Sequence, residues 1–282
     1  MALRDKLRMV TTPIGALTNT SAWTGTGFFF SQSVKDTNGK HIETQIWLVT
    51  NRHVVLDKDE KTGAETLPNQ LEFKLRCVDS NSKVNWLSIS LSNAELHQLT
   101  KVSNNPDIDI AVINVGQKLL STIKANPTLK VPFSSVSEDD IPQNNGYDID
   151  ICDDAIAIGY PRGYYDKSNL FPIVKSGIIA SPWNVSFEKK PRFLVDMKLF
   201  PGSSGSLVIS KPSCDISIHG KMQSFPDKQF AFLGVYSGEP YRQGSPVRVD
   251  DELTIIKHST YNLGFVWYSA EVTKIIASGV NP

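Results

Sequence analysis

Pro201-Gly202-Ser203-Ser204-Gly205-Ser206 runs without a break into the apolar stretch Leu207-Val208-Ile209. Two glycines bracket a pair of serines, and the pattern of a buried strand follows. Glycine lets the backbone turn sharply and lets another chain come close. Such a turn can present a hydroxyl while aiming backbone N–H groups at a developing oxyanion. Alone, a Gly-Ser cluster marks only a loop. Its weight depends on whether the chain also supplies a base, and a carboxylate to orient that base.

Both are present. Trp47-Leu48-Val49-Thr50-Asn51-Arg52-His53-Val54-Val55 sets a histidine at the end of an apolar, β-branched run. Asp107-Ile108-Asp109-Ile110-Ala111-Val112-Ile113 sets acidic residues at the start of another, with the strand expected over Ile108 to Val115. Imidazole titrates near working pH and suits a general base. On the residues alone, Ser203, Ser204 and Ser206 are rival hydroxyls. Asp107 and Asp109 are rival acids, because period-two alternation puts both on one strand face. His41, His97, His219 and His258 lack a setting like that of His53.

In the order His, Asp, Ser, these three segments resemble the trypsin-like serine peptidases, most closely the bacterial Deg/HtrA branch. That branch carries Thr-Asn-x-His-Val-Val, Asp-Ile/Leu-Ala-Val and Gly-x-Ser-Gly motifs. The resemblance runs from about Gly25 to about Ile276. It implies an all-β fold of two antiparallel six-stranded barrels, with the active site between them and a C-terminal helix. It also implies roles: Ser204 as nucleophile, His53 as base, Asp109 as orienter. The N–H groups of Gly202 and Ser204 would form the oxyanion hole. Ser237 matches a serine that supports the triad aspartate. Gly238 and Glu239 follow on the strand expected to pair with substrate backbone. Lys198 falls where the base of the specificity pocket is expected. There it would favour an acidic side chain, pair with Glu239, or remain a surface lysine. Ser203 stands where digestive relatives carry an acidic residue, so activation by a freed N-terminus is not expected.

Composition narrows the remaining classes. The chain has 282 residues, 40% of them hydrophobic, enough for a substantial core. Lys+Arg and Asp+Glu both total 29, so the formal net charge is zero. That balance gives no sign of a nucleic-acid or membrane-surface binder. The charged N-terminus does not read as a secretory signal, and no stretch is apolar enough to span a bilayer. Cys77, Cys152 and Cys214 are odd in number and widely spaced, so free thiols in the cytoplasm are expected. No cofactor and no metal site are expected. The acidic runs Glu138-Asp139-Asp140 and Asp148-Ile149-Asp150 lack calcium-loop spacing and read as solvated linker. The expected partner is a protein or peptide substrate. Regulation by a partner protein or by high selectivity is expected, since no PDZ module follows the terminal helix.

The chain divides into an N-terminal lobe (1–125), a connector (126–150) and a C-terminal lobe (151–282). Leu71, Phe73 and Leu75 alternate with Glu72, Lys74 and Arg76, the pattern of a half-buried strand. Val84 to Leu91 reads as a second strand and Leu96 to Val102 as a connecting turn. Residues 116–150, with several prolines and serines, read as a connector. Ala270 to Ala277 carries a helical apolar face. The leading function is a serine endopeptidase working through an acyl-enzyme. The alternatives are a catalytically silent peptide-binding scaffold and an esterase. The esterase reading is weakened because His53 precedes the serine, opposite to the Ser, Asp, His order of the Gly-x-Ser-x-Gly hydrolases.

Overall fold

The computed structural model describes residues 3–35, 41–59, 61–242, 246–248, 254–256 and 259–282. The chain opens on a short helix, Leu3–Met9, and turns at once into strand Thr11–Leu17. That strand pairs with Ala22–Lys35 on one side and Gln70–Val78 on the other. Around them grows an eight-stranded sheet. Its path runs from Val84–Ser92 through Gln70–Val78, Thr11–Leu17, Ala22–Lys35, His41–Thr50 and Ala111–Asn114 to Thr100–Val102. The short strand Val136–Ser137 adds in parallel to Ala22–Lys35.

The alternation read from 71–76 holds. Leu71, Phe73, Leu75 and Cys77 are buried while their neighbours are half-exposed. The expected first barrel does not. Among the described residues no ladder joins Val84–Ser92 to Thr100–Val102, so this sheet has eight strands rather than six and is not closed. The segment expected as a turn differs as well. Ser92 and Glu95 form a capping box that starts helix Asn93–Leu99. This helix connects the two outer strands of the sheet. Helix Gly116–Ala125, in a stretch read as a connector, packs beside the same edge and buries Leu119.

The second lobe meets its expectation. Six strands close a barrel in the order Asp154–Gly159, Ile173–Ile179, Arg192–Asp196, Leu263–Tyr268, Phe232–Gly238 and Leu207–Ser210. A hairpin not foreseen in the sequence, Ser213–Ile218 with Lys221–Gln229, projects from it as a separate two-stranded sheet. Helix Ala270–Ser278 ends the fold and buries Val272, Ile275 and Ile276.

One apolar cluster joins the two halves. Phe28, Phe30, Val49 and Val112 from the first sheet pack with Ile158, Leu207, Phe232 and Trp267 from the barrel. Phe28 meets Phe232 edge-on at 5.3 Å. This shared core fixes the ends of His41–Thr50 and Ala111–Asn114 against the turn that precedes Leu207–Ser210. No helix among the described residues is long and apolar enough to cross a membrane.

Candidate active site

His53 sits in a single helical turn, Arg52–Val55, just after strand His41–Thr50. Val54 and Val55 are buried and anchor the turn, which leaves the imidazole about half exposed, at 51%. Asp109 lies before strand Ala111–Asn114, not inside it as the sequence suggested. Its backbone carbonyl is held by the side-chain amide of buried Asn51 at 2.7 Å. Its carboxylate receives three donors. The His53 backbone N–H reaches Oδ1 at 3.0 Å. The His53 ring Nδ1 and the Ser237 hydroxyl both reach Oδ2, at 2.8 and 2.6 Å. With Nδ1 committed as donor, the neutral ring presents Nε2 as a proton acceptor.

Asp107, the rival acid, points away. It is two-thirds exposed and pairs with Lys190 at 3.1 Å. Burial alone would lower the His53 pKa. The hydrogen bond and the charge of Asp109 outweigh it and hold the pKa above the ordinary histidine value.

The serine segment is two consecutive turns. Ser203 N–H donates to Phe200 O at 3.0 Å, with Pro201 second and Gly202 third at φ +85. Ser206 N–H donates to Ser203 O at 2.9 Å, with Ser204 second and Gly205 third at φ +83. A positive φ at the third place is what a type II turn requires, and proline is common at its second. Gly205 is constrained further, because a Cβ there would lie 2.0 Å from Thr26 O and 2.3 Å from Thr50 Oγ1. Ser203 and Ser206 are buried, which removes both as rival nucleophiles. Ser204 alone is half-exposed.

The Ser204 hydroxyl donates to Ser237 O at 3.1 Å. Among the described residues it makes no hydrogen bond to the His53 ring. Pro201 O accepts from Arg162 N–H at 2.6 Å. The C=O and N–H of a trans peptide point in opposite directions. That contact therefore aims Gly202 N–H away from Arg162. Neither Gly202 N–H nor Ser204 N–H has an acceptor within the described residues.

Two supporting residues escaped the sequence reading. Thr26, fully buried, donates from Oγ1 to Gly202 O at 2.9 Å and accepts there from Tyr160 N–H at 2.9 Å. Its own N–H donates to Ser204 O at 2.8 Å. Arg162 holds Pro201 O from a left-handed backbone, φ 50, in a turn after Pro161. The Gly25-Thr26-Gly27 spacing was the available signal for Thr26. Nothing in the sequence marked Arg162.

A family model for the trypsin-like peptidase domain matches residues 25–213, more than half of the chain. The chain belongs to the trypsin-like peptidases. Solved structures resemble it at low identity. An HtrA-type protease, AlgW with a tripeptide, is 13% identical with TM-score 0.46, covering 97% of this chain and 60% of that one. A serine endoprotease from Yersinia pestis is 14% identical with TM-score 0.43, covering 96% and 63%. The protease Anisep from Arthrobacter nicotinovorans is 14% identical with TM-score 0.48, covering 96% of each. The chain thus spans about three fifths of the length of the HtrA-type structures. No curated protein matches it in sequence.

The residues expected to shape specificity divide. Ser237 meets Asp109, as above. Gly238 ends strand Phe232–Gly238 opposite Phe265, past a register shift. Glu239 follows half-buried, with Oε1 making no hydrogen bond among the described residues. Desolvation by burial, and then the Glu239 charge, raise the Tyr236 pKa well above the ordinary phenol value. Lys198 makes no pair with Glu239 among the described residues. It is exposed, with Nζ 5.8 Å from the Phe200 ring centroid. His258 lies outside the described residues. Among those described, no group of three or more His, Cys, Asp or Glu is placed to hold a metal ion.

Proposed function

We propose that this trypsin-like domain is a serine endopeptidase that cleaves polypeptides through an acyl-enzyme, with Ser204, His53 and Asp109 as its triad. The observation that carries this reading is the double grip of Asp109 on His53, through the backbone N–H and ring Nδ1 together. Ser204 Oγ attacks the scissile carbonyl and passes its proton to His53 Nε2. Asp109 holds the ring in the accepting tautomer and stabilises the imidazolium that forms. The negative charge on the carbonyl oxygen is met by the N–H groups of Gly202 and Ser204. His53 then protonates the leaving amine. Water attacks the acyl-enzyme by the reverse proton route and frees Ser204.

The division into lobes at 1–125 and 151–282 with a connector at 126–150 belongs to this reading. The first lobe supplies base and acid, the second supplies nucleophile and oxyanion donors. The three free cysteines favour a reducing compartment, the cytoplasm. A regulatory partner or a narrow substrate range would then restrain the enzyme.

A second reading, a silent peptide-binding scaffold, draws on the Ser204 hydroxyl resting on Ser237 O. A fluorophosphonate probe separates the two. Covalent labelling of the intact chain, lost in Ser204→Ala, supports the peptidase. A folded chain that takes up no probe supports the scaffold.

A further inference from the structure

Three cationic side chains converge on one aromatic ring beside the oxyanion turn. Arg162, Lys175 and Lys198 lie 5.4, 5.1 and 5.8 Å from the ring centroid of Phe200. They come from three places: a turn after Pro161, strand Ile173–Ile179, and the segment entering the serine turn. The Lys175 ammonium also donates to Lys198 O, which ties that strand to this segment. Phe200 is itself exposed at 38%, unusual for a phenylalanine so close to a packed core.

The ring explains why each cation comes near, since its face attracts positive charge. It does not offset their mutual repulsion. Among the described residues none of the three is in an ion pair. Among the described residues the cluster concentrates positive charge, on a chain whose formal net charge is zero.

Its position gives that charge a use. Phe200 is two residues before Gly202, a proposed oxyanion donor, and Phe200 O closes the turn that contains it. Two residues of chain span at most about 7 Å. The backbone of Phe200 therefore lies within about 7 Å of Gly202, the residue proposed to face the scissile carbonyl.

We propose that Arg162, Lys175 and Lys198, gathered on Phe200, form a subsite for a carboxylate of the polypeptide substrate, so that the site selects acidic segments. This rests on the peptide-binding cleft of the proposed peptidase and names its substrate class. The carboxylate comes from a glutamate or aspartate side chain, or from a free chain end.

Binding to the Ser204→Ala protein tests this without requiring cleavage. Three fluorescein-labelled decapeptides serve as probes, read by anisotropy. One is amidated with glutamate at its four central positions, one is its amidated glutamine counterpart, and one is the glutamine peptide with a free C-terminus. The glutamate peptide is expected to bind about fivefold to tenfold tighter than its amidated counterpart. A comparable gain for the free C-terminus instead assigns the subsite to chain ends. Either preference should disappear in Lys175→Gln/Lys198→Gln, and in Ser204→Ala alone as salt rises from about 0.05 M to about 0.5 M. Equal binding of the three peptides, no binding of any, or a preference that survives both treatments overturns the inference. Fluorophosphonate labelling of the unmutated chain is read in parallel. Labelling with no charge preference sinks the subsite alone, and loss of labelling with the preference intact sinks only the catalytic reading.

Discussion

Ser237 and His53 share one oxygen of Asp109: the hydroxyl donates to Oδ2 at 2.6 Å and ring Nδ1 meets the same atom at 2.8 Å. Ser237 belongs to the barrel and the other two to the open sheet, so this contact clamps the halves together at the point of chemistry. Ser237 also lends its backbone oxygen to the Ser204 hydroxyl. One residue therefore bears on all three members of the proposed triad.

Ser237→Ala removes a donor from Oδ2 and leaves more negative charge facing the imidazole. The His53 pKa should rise, and the acid limb of the kcat/KM profile should move to higher pH. The lost hydrogen bond should cost about 1 kcal/mol of stability. A pH–rate series with a thermal melt on the same protein reads both. An unmoved acid limb would separate Ser237 from the triad.

The raised His53 pKa sets the pH dependence itself. Catalysis needs the neutral ring, so activity should fall on acidification with a midpoint above the ordinary histidine value of about 6.5. Asp109→Asn removes both influences that raise the pKa and leaves burial, which lowers it. The midpoint should drop, and kcat should fall by about 10⁴-fold because the tautomer is lost. Stability runs in the opposite sense. The His53–Asp109 contribution is full below the unfolded-state pKa and is lost as pH rises through the folded one. Asp107→Asn is the control. It breaks only the exposed pair with Lys190 and should change stability by less than about 1 kcal/mol.

Thr26→Val keeps the shape but takes away the hydroxyl that joins Gly202 O to Tyr160 N–H. Both groups lose their partner in a buried setting, which should cost about 1–3 kcal/mol. The oxyanion turn loosens with it, so kcat should fall more than KM changes, and Thr26→Ser should restore both. Stopped-time assays alongside urea unfolding would show it. Full kcat with reduced stability would make Thr26 structural only.

Gly205→Ala places a methyl on Thr26 O and Thr50 Oγ1 at a positive φ. Strain and overlap together should destabilise the fold by about 3 kcal/mol or more. A calorimetric midpoint lowered by only a degree or two would mean that the two turns around Ser204 can be rebuilt.

The sequence by itself determined the alternation that buries Leu71, Phe73 and Leu75, which follows from the side-chain period of a strand and is set by near neighbours in the chain. The closed second barrel and the roles proposed for His53, Asp109 and Ser204 were legible only through the resemblance of three short motifs to the trypsin-like peptidases. Tertiary structure decided the rest. Asp107 and Asp109 share a strand-like period, and only the position of His53 and Lys190 sends one inward and the other out. Three serines crowd one turn, and burial against the barrel leaves Ser204 alone accessible. Among the described residues the first lobe shows no closed barrel, and Ser92 and Glu95 cap a helix in the segment that connects its two outer strands. Thr26 and Arg162 act on a turn far along the chain, and Lys198 finds Phe200 and two other cations rather than Glu239. Each of these outcomes depends on which groups meet across the fold, and contacts between residues distant in sequence leave no local pattern to read.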